Sequence, residues 1–406
     1  MRLAIVAGDG YVVSVLNQWR QSTVALCAAV TFAAPACAKT IDIDITETVP
    51  VSESEVPIAL LVDISSGQVL FERNADRRFV PASITKAMTT FVAFELMQEG
   101  TIVPDQMMTV SPETWKEWNG QGSTMWLNAG SQVRVGDLLT GIATVSANDA
   151  SVVFAKGAAG SVEGWTGLMN AKAEELGMVS SQFHTPNGWP DEGRTFTTAR
   201  DLVKLAEAMV RRHPKKFANY VGRPEFFWNG ISQPNHDPII GRVKGADGIK
   251  TGFTNEAGHG FLGTAQRGSQ RLVMVIGAAT SYGARTRNSR SLMEWGFSAF
   301  DSEDVFSKGE SVGEVRVQGG SSRSVALITD RNVRVNVPKE HAGEMKVAIR
   351  YDGPVRAPIV QGQRIATLEV LVPEMAPARI PLLATESVDR AGFFSRIWNG
   401  FAGWFS

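Results

Sequence analysis

Cysteine is almost missing from this chain: Cys27 and Cys37 are the only two in 406 residues, and both lie close to the N-terminus. Beyond residue 38 there is no thiol for a disulfide, a metal or a nucleophile. Histidine is also scarce. His184, His213, His236, His259 and His341 are scattered without metal-ligand spacing, so neither a metal nor a cofactor is expected. Neither sign of charge dominates: 40 basic residues face 41 acidic ones, a net charge of -1. That balance lacks the footprint of a nucleic-acid partner. The apolar run from Thr23 to Ala34 is too short to span a bilayer.

What is present reads as an exported, folded protein. Hydrophobic content of 44% with 20% charged residues is that of a chain with a packed core, and 406 residues suggest two domains or more. Arg20 precedes the apolar run, which ends at Ala36-x-Ala38, a small-residue cleavage pattern. Residues 1–38 are therefore expected to be a signal peptide. Residues 39–55 are acidic and irregular, and are expected to form a flexible segment.

From 56 to 303 the pattern is α+β. Ala59–Asp63 and Gln68–Phe71 read as strands joined by a turn at Ser66-Gly67. A helical block follows, with helices expected over Ala147–Ala158, Trp165–Leu176 and Thr198–Arg211. Strands return at Gly260–Ala265 and Gln270–Ala278, and a helix is expected over Asn288–Phe300. Strands flanking a helical insertion differ from alternating βαβ units. Residues 304–384 alternate between turns and predict a small all-β domain. Residues 385–406 end in an aromatic stripe: on a helix, Phe393, Phe394, Ile397, Trp398, Phe401, Trp404 and Phe405 fall within about 140° of arc. Such a stripe predicts an amphipathic helix lying on a membrane surface through residues 388–406.

Three short motifs carry the chemistry. Ser83-x-x-Lys86 follows Pro81-Ala82 at the start of a helical pattern, which puts Ser83 and Lys86 on one helix face. Alone the pair favours a serine cap with a solvated lysine, because four residues of this kind recur by chance. Ser146-Ala147-Asn148 and Lys250-Thr251-Gly252 occur downstream, the latter just before an expected strand. The order Ser-x-x-Lys, Ser-x-Asn, Lys-Thr-Gly is that of penicillin-binding proteins and one class of β-lactamases. In such a set Lys86, kept neutral by burial and by Lys250, takes the Ser83 proton, and Ser146 relays it to a leaving amine. Asn148 holds substrate backbone, and Thr251 with Lys250 binds a terminal carboxylate. Gly252 lets an extended peptide approach the strand edge, and the N–H groups of Ser83 and Phe253 form an oxyanion hole.

With these motifs, Asp247-Gly248-Ile249 before Lys250, and the link Asn187-Gly188-Trp189-Pro190-Asp191, the sequence resembles the D-alanyl-D-alanine carboxypeptidases, low-molecular-mass penicillin-binding proteins of the bacterial envelope. The resemblance covers nearly all of the chain after residue 38. It implies a β-lactamase/transpeptidase-like catalytic domain that removes the terminal D-alanine of peptidoglycan pentapeptides through an acyl-enzyme on Ser83 and is acylated by β-lactams. It also implies a place on the periplasmic face of the inner membrane, and puts Arg285 near the substrate carboxylate. Ala147 and Phe253 depart from residues common in the family, glycine and histidine. A β-lactamase would need an added acid for deacylation, and no Glu-x-x-Leu-Asn-like element stands in the insertion. A non-catalytic peptidoglycan-binding scaffold would not need the intact Ser83, Lys86, Ser146 and Lys250 set.

Overall fold

The computed structural model describes residues 2–7 and 11–15 as backbone, and residues 49–341 and 344–392 in full. Most of the expected signal peptide, residues 39–48 and the aromatic tail 393–406 lie outside the described residues. The chain forms two compact units, one of residues 50–300, the other containing 301 onward together with 1–49.

The first unit is built on a five-stranded antiparallel sheet. Its strands are β1 (Ile58–Asp63), β2 (Gln68–Arg73), β3 (Ala246–Thr254), β4 (Gly258–Arg267) and β5 (Gln270–Ala279), in the order β2-β1-β5-β4-β3. β1 and the middle of β5 are buried along their length, as expected for central strands covered on both faces. β3 is an edge strand, paired only through Lys250 opposite Leu262 and its neighbours. Lys250-Thr251-Gly252 thus lie within a strand and do not precede one. Gly248 and Gly252 dilute the strand signal in the sequence, and pairing with β4 overrides that weak propensity.

Helix α1 (Thr85–Glu99) runs through the core, and its first ten residues are all buried. It stops at Gly100, whose left-handed conformation lets its N–H reach the Leu96 carbonyl. Around it pack α2 (Pro112–Trp118), α3 (Val135–Thr144), α4 (Asn148–Ala159), α5 (Val162–Glu175), α6 (Ala199–Arg212) and α7 (Pro214–Tyr220). The hydroxyl of Thr198 caps α6 by accepting the Asp201 N–H. The closing helix α8 spans Tyr282–Ser298, six residues earlier than expected. Ser281 caps it, and its first turn (Tyr282-Gly283-Ala284) carries no apolar periodicity.

Residues 50–55 are not a free tether. Val51 and Val56 are buried, the Ser52 N–H donates to Asn288, and Glu55 accepts from Asn288 and Arg287 of α8.

The second unit is a β structure with its own core, including Val315, Leu327, Val335, Ile349, Leu368 and Leu382. Its main sheet runs Val355–Arg356, Ser311–Gln318, Ser324–Thr329, Ala378–Ala384, Arg364–Leu371, Lys346–Tyr351. The backbone of Arg2–Ala7 continues it, parallel to Lys346–Tyr351, and Tyr11–Val15 follows. Phe300–Phe306 pairs with Val333–Pro338. Residues 385–391, expected to begin the amphipathic helix, instead belong to this unit. Val388 pairs with Ile359, the Ala391 N–H donates to Gly319, and both side chains are buried. Any surface helix therefore begins beyond Gly392.

Candidate active site

Ser83 sits in a tight 3-10 turn, Ala82–Ile84, that runs straight into α1. Lys86 is one turn on and wholly buried. Its Nζ lies 2.9 Å from Ser83 Oγ, 2.7 Å from Asn148 Oδ1 and 2.7 Å from the Asn187 carbonyl oxygen. The two carbonyl oxygens can only accept. A neutral amine has two N–H bonds and one lone pair, so those oxygens take both N–H bonds. The lone pair is then left facing the Ser83 hydroxyl. Burial pushes the Lys86 ammonium well down from the usual lysine range, Lys250 pushes it further, and Asp149 partly opposes both. The neutral form is thereby favoured.

The Ser83 turn is held from two sides. A Cβ at Gly252 would overlap the Pro81 carbonyl oxygen and stand 3.1 Å from the Ile84 nitrogen. A Cβ at Gly188, whose φ is +72°, would overlap the Ala82 carbonyl oxygen. Gly252 thus makes room for the Ser83 turn itself, a different use from the substrate approach expected of it. The Asn187-Gly188 link docks on the same turn and delivers an acceptor to Lys86.

Asn148 opens α4 with both ends of its amide engaged: Oδ1 accepts from Lys86 and Nδ2 donates to the Gln121 carbonyl, 2.9 Å away. It orients the lysine and keeps one N–H for a ligand. Ser146, just before it, has φ of +64° and is buried against the cleft. Asp149, in the first turn of α4, ties down the preceding loop. Its carboxylate accepts N–H bonds from Met125, Leu127 and Ala150.

Lys250 is buried, with its Nζ 3.1 Å from the Thr251 carbonyl oxygen. Burial and Arg285 lower its pKa to about 7, against the pull of Asp237. Arg285, in the first turn of α8, is buried too. Its Nε has no partner, and no described carboxylate lies within ion-pair distance. Two buried cations with so little counter-charge make a pocket that an anion completes.

These groups share one cleft of about 710 Å³, lined by Ser83, Ser146, Asn148, Thr251, Gly252, Phe253 and Arg285, with Lys86 and Lys250 beneath. All nine site residues read from the sequence therefore belong to one place. Sequence reasoning missed Asn235, His236 and Tyr282, which line the cleft, and Asp237 behind them. The Asp237 Oδ1 accepts the N–H groups of Ile239 and Ile240, while Oδ2 is buried without a partner. Burial raises its pKa to about 6. Of the tryptophans, Trp118 packs edge-on against the cleft residue Trp189 at 5.3 Å, while Trp115 and Trp126 stay partly exposed. Among the described residues one group has donors close enough for a metal, Glu340, His341 and Glu374 of the second unit. There His341 already pairs with Glu344 and Glu374 at 3.5 Å.

A Ser–Lys pair beside an open strand edge, on a sheet interrupted by a helical insertion, is the architecture of the penicillin-binding peptidases. The sequence profile described as D-alanyl-D-alanine carboxypeptidase matches residues 45–280, and that of the penicillin-binding protein 5 C-terminal domain matches residues 300–390. The chain is 32% identical to the Escherichia coli D-alanyl-D-alanine carboxypeptidase DacC over 373 residues, covering 89% of this chain and 93% of that one. For DacA of the same organism the figures are 31% over 381 residues, 92% and 93%. The crystal structure of penicillin-binding protein 5 from Haemophilus influenzae superposes with a TM-score of 0.74 at 29% identity, covering 83% of this chain and 98% of that one. The protein belongs to the D-alanyl-D-alanine carboxypeptidase family.

Proposed function

We propose that the protein is a serine-type, penicillin-binding D-alanyl-D-alanine carboxypeptidase that trims peptidoglycan pentapeptides. The observation that carries this reading is the Lys86 amine, whose two carbonyl partners leave its lone pair for Ser83. Lys86 takes the hydroxyl proton as Ser83 Oγ attacks the carbonyl of the penultimate D-alanine. The oxyanion is held by the N–H groups of Ser83 and Phe253. The proton passes from Lys86 through the Ser146 hydroxyl to the departing amine, the C–N bond breaks, and D-alanine leaves. Water then gives a proton to Lys86 and attacks the ester carbonyl, and Ser83 Oγ departs with that proton. Lys250, Thr251 and Arg285 bind the terminal carboxylate, Asn148 holds the substrate amide, and the peptide lies along the free edge of β3.

The same reading places the mature chain in the periplasm once residues 1–38 are removed; that cleavage takes away the strands Arg2–Ala7 and Tyr11–Val15 and leaves Lys346–Tyr351 at the edge of the second unit's sheet. Residues beyond 392 lie on the inner-membrane surface. Two measurements test the activity. A labelled penicillin should form a covalent adduct that Ser83→Ala abolishes, and a pentapeptide ending in D-Ala-D-Ala should release D-alanine. An adduct that persists in Ser83→Ala would refute the assignment of the nucleophile. Rapid penicillin turnover without D-alanine release would mark a β-lactamase instead.

A further inference from the structure

Among the described residues no carboxylate lies within ion-pair distance of Arg285, with Asp237 acting on it only from further away. Rings occupy the space beside it. Its Cζ lies over the Tyr282 ring, 4.8 Å from the centroid, and the Tyr282 hydroxyl also accepts a hydrogen bond from it, so a Tyr282→Phe variant separates ring from hydroxyl. The His259 ring meets Tyr282 edge-on at 6.4 Å and stacks on Phe253 at 4.2 Å with 23° between planes. Phe253 directly follows Lys250-Thr251-Gly252 on β3, and His259 is its cross-strand partner on β4. The rings therefore run without a break from the strand edge to the guanidinium. Tyr282 is 61% exposed, so burial of its own surface does not explain its position. Burial and the nearby Arg285 lower the His259 pKa, which keeps its ring uncharged next to the cation.

We propose that Tyr282 and His259 are positioning residues for carboxylate recognition: with Phe253 they form an aromatic ladder that fixes the Arg285 guanidinium over the cleft. The ligand, an acyl-D-alanyl-D-alanine with a free terminal carboxylate, rests on the peptidase reading above. A ring face satisfies a buried cation without neutralising it. A carboxylate in that position would pair with Arg285 and leave a substrate carboxylate nothing to complete. The ladder holds the arginine while preserving its charge for the ligand, which suits a site selecting free C-termini.

The test compares a diacetylated Lys-D-Ala-D-Ala peptide with its C-terminal amide. Dissociation constants are measured by calorimetry in the Ser83→Ala protein, and turnover in the active enzyme. The intact ladder should bind the acid form more tightly than the amide. Tyr282→Leu should weaken the acid form about two- to five-fold, the scale of one exposed cation–π contact, and leave the amide unchanged. In the active enzyme KM for the acid should rise while kcat stays near its original value. Tyr282→Phe, which keeps the ring, should restore tight binding, and His259→Gln should shift binding in the same direction as Tyr282→Leu. An equal loss for acid and amide, no loss in Tyr282→Leu, or a phenylalanine variant as weak as the leucine one would overturn the proposal, as would failure of the acid to bind at all. Preferential acid binding that depends on the ladder, in a protein that releases no D-alanine, would keep the ladder and refute the hydrolytic reading.

Discussion

At Lys86 the fold removes an amine from water and gives it two carbonyl acceptors and one hydroxyl. A guanidinium cannot lose its charge there. Lys86→Arg should therefore abolish acylation by labelled penicillin while the far-UV spectrum stays native. Near-normal labelling would mean that the base lies elsewhere. On the proposed function the second lysine has the opposite requirement, since Lys250 would attract a substrate carboxylate only when protonated. With its pKa near 7, that charge is lost as pH rises through neutrality. Asp237 is ionised above about pH 6 and raises the Lys250 pKa. Removing the anion makes the cation easier to deprotonate. In Asp237→Asn, which keeps the side chain's shape, the alkaline limb of kcat/KM should move to lower pH. An unmoved limb would show that Asp237 does not tune Lys250.

Among the elements, β3 and the Ser83 turn show what a sequence discloses. That Ser83, Lys86, Ser146, Asn148 and Lys250 meet in one place was legible because the chemistry expected of them restricts the residue types. Gly252 was legible as a motif member, but its use was not. Only the fold shows that the Pro81 carbonyl fills the space where its side chain would be. Tyr282 and Asp237 left no signal because neither belongs to a periodic pattern. Tyr282 lies in a helix turn without an apolar stripe, and Asp237 in an irregular loop, so tertiary packing alone brings them to the cleft. Gly252→Ala should displace the turn. A site that needs sub-ångström alignment should lose about 100-fold in its second-order acylation rate, for an overpacking cost of about 1–3 kcal/mol. Stopped-flow labelling together with a thermal melt would check both numbers. Unchanged acylation would show that the turn yields without consequence.

For the whole molecule, the division near residue 300 was foreseeable from the change to alternating strands. The packing of residues 50–55 and 385–391 was not. Both stretches are polar and irregular in sequence; the first is held by Val51 and by hydrogen bonds to Asn288 and Arg287, the second by Val388, Ala391 and backbone hydrogen bonds. The expected membrane segment therefore shortens to residues 393–406. Deleting those residues should release the protein from anionic vesicles in a flotation assay and leave penicillin labelling unchanged, whereas continued flotation would refute the anchor.

The clamped Ser83 turn has one more consequence, in time. Its two glycine seats, at 188 and 252, are synthesised more than a hundred residues and nearly 170 residues after Ser83. A growing chain that ends before β3 has the serine and the lysine but neither the second seat nor the edge strand. Reactivity toward a β-lactam would then begin only when β3 docks, so a fluorescent penicillin added to staged translation intermediates would serve as a clock for completion of the fold.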